Sequence, residues 1–168
     1  MTGHTMPPIS ALATALVMCG GTAACDSDPV LPPPGSAILI DFDASQELWP
    51  KDGWDFGAAT VIDDEFLEIQ VSFAGGCRPH DFWLVAVRGF HYLPTAGPTP
   101  TVAVPILLAH DAHGDPCEAY LTETSRFDLQ PLRDVFEAQS GGRTGRVILR
   151  IPMGQGAADT TSIDYFIR

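Results

Sequence analysis

The feature that most constrains the fold is an alternation of apolar and polar residues that recurs in short runs along most of the chain. From Glu65 to Phe73, for example, apolar side chains stand at every second position. Because successive side chains of a β-strand point to opposite faces of a sheet, this period predicts strands with one buried face. The predicted strands are 37–42, 58–62, 65–73, 82–87, 102–109, 119–124, 146–151 and 162–168.

Glycine, proline and aspartate clusters separate these runs, and residues 132–139 alone predict a helix. About eight short strands in about 130 residues are typical of an all-β sandwich or barrel. We therefore expect a single antiparallel β-sandwich, immunoglobulin-like or jelly-roll-like. Residues 82–87 are apolar on both faces and predict a central strand, whereas Pro105 predicts an edge strand or a bulge.

The N-terminal segment predicts export. Residues 1–25 contain no Asp, Glu, Lys or Arg, and residues 9–18 form an apolar stretch of the length of a signal-peptide core. Small residues then lead to Cys25, which resembles a bacterial lipoprotein signal whose cysteine is acylated. An ordinary secretory signal is the alternative. We expect a lipoprotein signal peptide at 1–25 with lipid attachment at Cys25, a proline-rich linker at 26–35 and the β-sandwich domain at 36–168.

The charge balance excludes a nucleic-acid binder. The chain has 9 Lys and Arg residues against 21 Asp and Glu residues, for a net charge of -12. Neutralising a phosphate backbone needs a basic surface, and this chain has a single lysine, Lys51. Acidic residues dominate the N-terminal third, which indicates either a solvated acidic face or a surface for a cation or basic partner.

Three segments, at 75–82, 108–119 and 127–132, carry distinctive motifs. They resemble a group of small bacterial lipoproteins that includes the C-terminal β-sandwich of NigD-like proteins. The matching positions are Gly75, Gly76, Cys77, His80, Phe82, His110, Asp111, Asp115, Cys117, Glu118, Ala119, Phe127, Asp128, Leu129, Pro131 and Leu132. The resemblance covers residues 36–168 and implies a fold and an envelope location, but no activity.

Within these motifs, Cys77 and Cys117 are the two thiols left after removal of the signal and acylation of Cys25. Both follow turn residues, and an exported protein lies where disulfides persist, so we expect them to form a disulfide. The same residues with His80 and His110 also have the composition of a Cys2His2 zinc site. Free thiols are the third alternative.

Acidic residues of the same motifs allow a second metal hypothesis. Asp111, Asp115 and Glu118 cluster near His110 in the sequence and offer oxygen ligands for calcium. The alternative is that these carboxylates cap loop N–H groups, which we favour. Asp128 is similarly expected to form a turn or to cap the short helix. We expect no bound cofactor.

The sequence contains no Gly-x-Ser-x-Gly elbow, phosphate-binding loop or His-Glu-x-x-His motif. Trp49 and Trp54 offer either an aromatic platform for a sugar or peptide, or packing residues at a sheet end. We expect a non-enzymatic binding or structural module of the cell envelope, anchored to the membrane by lipid, with a protein or glycan ligand. A hydrolase and a metal-binding module are the rival hypotheses.

Overall fold

Nine strands, one helix and a short 3-10 turn make up the computed structural model, which describes residues 31–43, 46–95 and 97–168. The expected signal peptide, Cys25 and linker residues 26–30 lie outside the described residues. The strands are β1 (Leu39–Ile40), β2 (Asp55–Ile62), β3 (Phe66–Gly75), β4 (Asp81–Ala86), β5 (His91–Leu93), β6 (Thr101–Asp111), β7 (Ala119–Asp128), β8 (Gly145–Pro152) and β9 (Thr160–Ile167); the helix α1 spans Gln130–Ser140 and the 3-10 turn Gln46–Leu48.

The strands form two sheets. The larger has six strands in the order β1-β4-β6-β8-β9, with β5 also paired to β6, and the smaller has the order β2-β3-β7. All eight predicted strands are present, whereas the three-residue strand β5 was too short to be predicted. The expectation of a wholly antiparallel sandwich is wrong at two ladders, because β1–β4 and β6–β8 are parallel. Alternation predicts which face is buried but not which neighbour a strand pairs with.

The main core lies between the two sheets. Leu67, Ile69, Val71 and Phe73 of β3 are all at most 3% exposed, as the alternation predicts. They pack in one cluster with inward-facing residues of β4, β6, β8 and β9. The prediction that residues 82–87 are buried on both faces is also confirmed, because alternate residues of β4 belong to the main core and to a second cluster on the outer face.

The helix closes one part of the main core. It buries Leu132 and Phe136, one turn apart, and ends at Gly141, whose φ of 69° is the left-handed conformation that glycine adopts readily. Asp128 accepts a hydrogen bond from the Gln130 N–H at 2.7 Å, one residue before the N-cap position. None of the helices among the described residues is long and apolar enough to cross a membrane.

Strand β6 changes partners at Pro105. Residues on one side of this proline pair with β5, those on the other side pair with β4, and β8 runs along the opposite edge as far as Pro105. The prediction of an edge strand is therefore wrong, because β6 is central. A proline is tolerated there because it lies between the two ladders, where its missing N–H costs little.

The second cluster covers the outer face of the larger sheet. Trp49, Trp83, Val85, Val87 and Ala109 are buried in it. Two residues of the predicted linker take part: Leu31 packs against the cluster, and the Pro32 carbonyl accepts a hydrogen bond from Trp83 Nε1 at 2.8 Å. The compact unit begins at Leu31, where an apolar residue and a buried indole donor hold the chain.

This packing predicts that a chain starting at Ser36 is less stable than one starting at Leu31. Removing residues 31–35 exposes part of the outer cluster and leaves the Trp83 N–H without its acceptor, which costs about 1–3 kcal/mol. Urea unfolding of both chains measures the difference. In a Trp83→Phe background, which has no such donor, the difference should shrink. Equal stabilities in the original background would contradict this packing.

Candidate functional site

Two of the three sequence motifs, 75–82 and 108–119, meet where the chain passes between the two sheets, whereas the third, 127–132, begins at the other end of β7. The connection from β3 to β4 and the connection from β6 to β7 lie side by side, since Gly75 pairs with Ala119 in one sheet and Asp81 with Asp111 in the other. We call these two connections the crossings. They lie together because β3 is a neighbour of β7 in one sheet and β4 is a neighbour of β6 in the other. Cys77 and His80 belong to the first crossing, and Asp115 and Cys117 to the second.

A disulfide joins the two crossings. Cys77 and Cys117 are bonded, with their Cα atoms 5.8 Å apart and a sequence separation of 40. On the chain-entropy view, closing a loop of this length stabilises a protein by about 4 kcal/mol. The free-thiol alternative is thus not the arrangement in this structure.

The carboxylate of Asp115 is the second tie between the crossings, and its side chain is completely buried. One oxygen, Oδ2, accepts hydrogen bonds at 2.9 Å from the backbone N–H groups of Gly76, Cys77 and Arg78. The other, Oδ1, accepts from the Cys117 N–H at 2.9 Å. These bonds, with that of Cys117 foremost, hold the pKa of Asp115 far below its usual range.

Glycine is needed at each of the two positions before Cys77, for a different structural reason. Gly75 has no room for a side chain, because an added Cβ would lie 2.6 Å from His80 Cε1 and 3.2 Å from Asp115 Oδ2. Gly76 has a φ of 114°, a backbone conformation closed to most other residues. Gly76, Cys77 and Arg78 therefore place three N–H groups around one carboxylate, and Gly75 leaves space for an imidazole.

His80 and His110 form a continuous hydrogen-bonded chain. His80 Nδ1 lies 2.8 Å from His110 Nε2, and His80 Nε2 lies 3.2 Å from Asp115 Oδ2. At the far end, His110 Nδ1 lies 3.2 Å from the Gly53 carbonyl oxygen. The side chain of His80 is 3% exposed and His110 is 1% exposed. All four ring nitrogens thus face a partner inside the protein.

The hydrogen-bonded series ends in an acceptor on both sides, and this determines how many protons the two imidazoles need. The Gly53 carbonyl requires a proton on His110 Nδ1, and the Asp115 carboxylate requires one on His80 Nε2. Because a third proton lies between the rings, the three bonds need one proton more than two neutral imidazoles supply. Burial, followed by the neighbouring His80, lowers the pKa of His110.

The residues of the alternative zinc site have other partners in this structure. The sulfurs of Cys77 and Cys117 are bonded to each other, and His80 and His110 are bonded to each other rather than to the sulfurs. The residues considered as calcium ligands do not cluster either. Within the described residues, the one group of ligand atoms close enough to share an ion comprises Cys77, Asp115 and Cys117. It includes neither Asp111 nor Glu118, so the loop-capping interpretation fits Asp115.

The Asp115 geometry predicts a specific dependence of stability on pH. Since its pKa is lower in the folded chain than in the unfolded chain, unfolding takes up a proton in acid. This stabilisation is complete above the unfolded value of about 4 and is lost as the pH falls below it. Measured by urea unfolding, the free energy of unfolding should therefore fall between about pH 5 and pH 3. The slope of this free energy against pH reports the protons taken up on unfolding, and Asp115→Asn should lower that number by up to about one.

The matched control for this experiment is Asp111→Asn. Asp111 bonds to the His113 backbone and lies beside its ring, with a side chain that is 35% exposed. Its replacement should leave the acid slope almost unchanged. An equal loss of slope in both variants would show that Asp115 is not the group responsible.

Neither tryptophan forms an open aromatic platform. Trp49 is 6% exposed and packs on Trp83, and Trp54 is 4% exposed and donates its Nε1 hydrogen to Gln155 Oε1 at 3.2 Å. The binding role considered for Trp49 and Trp54 is thus replaced by packing, because both rings face apolar neighbours. Trp54 does border the cleft described next.

A cleft of about 870 Å³ opens on the larger sheet between β6 and the end of β8. Residues of β6 from Pro105 to Leu108 form one wall, and the β8–β9 turn around Gln155 forms another. Its charged lining residues are Lys51, Arg88, Arg150 and Glu47. Within the described residues, the side chains of Lys51, Arg88 and Arg150 have no hydrogen-bond or ion-pair partner.

These three cations were not identified from the sequence, although signals for them exist. Lys51 is the only basic residue between Asp26 and Gly75, and Arg150 is one of the two polar residues of the alternating strand 146–151. Their convergence depends on tertiary structure, since they come from the segment before β2, the turn after β4 and the strand β8. A third of the nine basic residues of a chain with a net charge of -12 thus face one cleft.

No family model and no curated protein sequence matches the chain. Solved structures that it resembles include a NigD-like immunity protein from Bacteroides caccae, at 17% identity and a TM-score of 0.46, over 77% of this chain and 57% of that one. Others are a protein of unknown function from Bacteroides vulgatus (12% identity, TM-score 0.42, 80% and 56% covered) and a candidate lipoprotein from Bacteroides fragilis (8%, 0.46, 79% and 70%). The chain spans less than two thirds of the first two proteins.

Proposed function

We propose that this chain is an exported lipoprotein, acylated at Cys25, whose domain is a non-enzymatic binding module of the bacterial cell envelope. Its ligands are anionic and occupy the cleft between β6 and β8. The uncharged first 25 residues support the export step, and a disulfide between Cys77 and Cys117 suits an oxidising compartment. The short strands and tied crossings form a rigid support for a binding surface.

The arrangement of the histidines favours binding over catalysis. A general base or nucleophile partner needs a ring nitrogen that faces a substrate. His80 and His110 use all four ring nitrogens in bonds to each other, to Asp115 and to the Gly53 carbonyl. The hydrolase hypothesis is left without a catalytic histidine at this cluster, and the cluster acts as a structural tie.

The observation that carries the proposal is a set of cleft cations that have no partner among the described residues. Lys51, Arg88 and Arg150 outnumber Glu47, so the cleft is locally positive in a strongly acidic protein. Like charges in one concave surface repel each other, and an anionic ligand relieves that repulsion. The cleft also falls within the usual size of ligand sites, about 300–1,000 Å³.

We therefore predict that the protein binds flexible polyanions at low salt and that cleft cations determine this affinity. Isothermal titration with poly-glutamate and with polygalacturonate provides a peptide and a glycan probe. The triple variant Lys51→Ala, Arg88→Ala, Arg150→Ala should weaken the stronger of the two interactions about 10–100-fold, because each charged hydrogen bond is worth about 1.5–3 kcal/mol before screening.

A charge-matched control separates the cleft from net charge. Arg126, Arg143 and Arg168 do not line the cleft, and their replacement by alanine changes the net charge equally. This second triple variant should retain most of the affinity. If both triple variants lose it alike, or if neither probe binds the unaltered protein, the cleft is not an anion site.

The anchoring part of the proposal has its own prediction. In the native host, Cys25→Ser should abolish labelling by a palmitate analogue and release the protein from the membrane fraction, since acyl chains provide the attachment. Cys77→Ser, which breaks the disulfide but leaves Cys25, is the control and should remain labelled. Unchanged labelling of Cys25→Ser would exclude this attachment site.

A further inference from the structure

One edge of β6 has no strand partner where it borders the cleft. The ladder with β8 ends at the pair Pro105–Arg150, and the next pairing on that edge is the bridge from His110 to Lys51. Between them, Ile106–Ala109 have no strand partner on this side within the described part of the chain. We call this unpaired stretch of the β6 edge the gap. Their other edge is paired with β4 throughout.

Backbone hydrogen bonds show which groups face this gap. The Pro105 carbonyl accepts from the Val87 N–H at 3.0 Å on the β4 side, and the His110 carbonyl accepts from the Asp52 N–H at 3.0 Å on the opposite side. The backbone N–H and carbonyl groups of successive residues point to opposite edges of a strand, so those of Leu108 point toward the gap, as those of His110 do. The side chains of Ile106 and Leu108 are in the main core, so these residues border the cleft with their backbone.

The gap has a local cause. In a parallel ladder every second residue of a strand donates to its neighbour. Arg150 is the last residue of β8 in register with β6, and the next residue in the same phase is Pro152, which has no N–H. The two strands therefore separate at this point, and the cleft is the space between them.

The dimensions of the gap suit a short extended peptide. Four residues of strand span about 13 Å at about 3.3 Å per residue. Lys51 lies at one end of the gap and Arg150 at the other, and Arg88 also lines the cleft. Arg88 has a φ of 61°, a left-handed conformation that arginine seldom adopts and that recurs at functional positions.

From this geometry we infer that the cleft binds an extended acidic peptide segment of a partner protein, which adds as a strand beside Ile106–Ala109. The inference rests on the proposed function and specifies its ligand class. The peptide backbone would pair with the free groups of β6, and its acidic side chains would meet the three cations. A glycan matches the charges but not the regularly spaced N–H and carbonyl groups of a strand edge.

The test uses a blocked hexapeptide of alternating valine and glutamate and two isomers of it. One isomer carries N-methyl groups on its valines and the other on its glutamates, so charge and composition are equal. Only alternate N–H groups of a strand face its neighbour, so one isomer should bind about tenfold or more weakly than the other. Arg150→Ala should weaken the parent peptide, whereas Arg143→Ala, outside the cleft, should not.

The outcomes distinguish this inference from the proposed function. If both isomers bind as well as the parent, or if polygalacturonate binds and the peptide does not, strand addition is overturned while anion binding remains. If no probe binds, both proposals fail.

Two further outcomes would assign the gap to another occupant. Self-association of the free protein that Arg150→Ala abolishes would show that a second copy fills the gap. Binding of the peptide only after removal of residues 26–30 would assign the gap to the chain's own Asp26–Asp28 segment. Either result overturns the partner peptide.

Discussion

The carboxylate of Asp115 holds together the two places where the chain passes from one sheet to the other. It lies in the β6–β7 crossing and accepts hydrogen bonds from three consecutive N–H groups of the β3–β4 crossing and from Cys117. The disulfide joins the same two crossings covalently. The relative position of the two sheets at this end therefore depends on one buried charge that is fully hydrogen-bonded, the condition under which burial of a charge is tolerated.

The histidine pair extends this tie toward a third part of the chain. Through His110 and the Gly53 carbonyl, the network reaches the segment that precedes β2. The same segment carries Lys51, which pairs with His110 along the edge of β6. The position of one cleft cation is thus connected to the Asp115 network. His80, His110 and Asp115 have hydrogen-bond partners inside the protein, whereas the side chains of Lys51, Arg88 and Arg150 have none among the described residues.

Two prolines determine where the larger sheet is interrupted. Pro105 lies where β6 exchanges β5 for β4, and Pro152 stands where β8 would otherwise have continued to donate to β6. Neither unfolds the sheet, because the remaining ladders and the main core hold both strands. The result is a central strand with a short accessible edge. Such edges are usually covered or charged in natural proteins, and here three cations surround the opening.

The sequence by itself determined the strands, the buried faces and the residues of the crossings. The alternation in 65–73 predicted the buried face of β3, and the spacing of turns predicted eight of nine strands, because these are local properties of a pleated chain. The motifs identified Cys77, His80, His110 and Asp115 as candidate site residues, but they did not predict the hydrogen bonds among these residues. Only the tertiary structure decided that β8 runs parallel to β6, that Leu31 packs on the outer cluster, and that Lys51, Arg88 and Arg150 share a cleft. A period of two records which side of a strand is buried, but the choice of neighbouring strand depends on contacts between residues far apart in sequence.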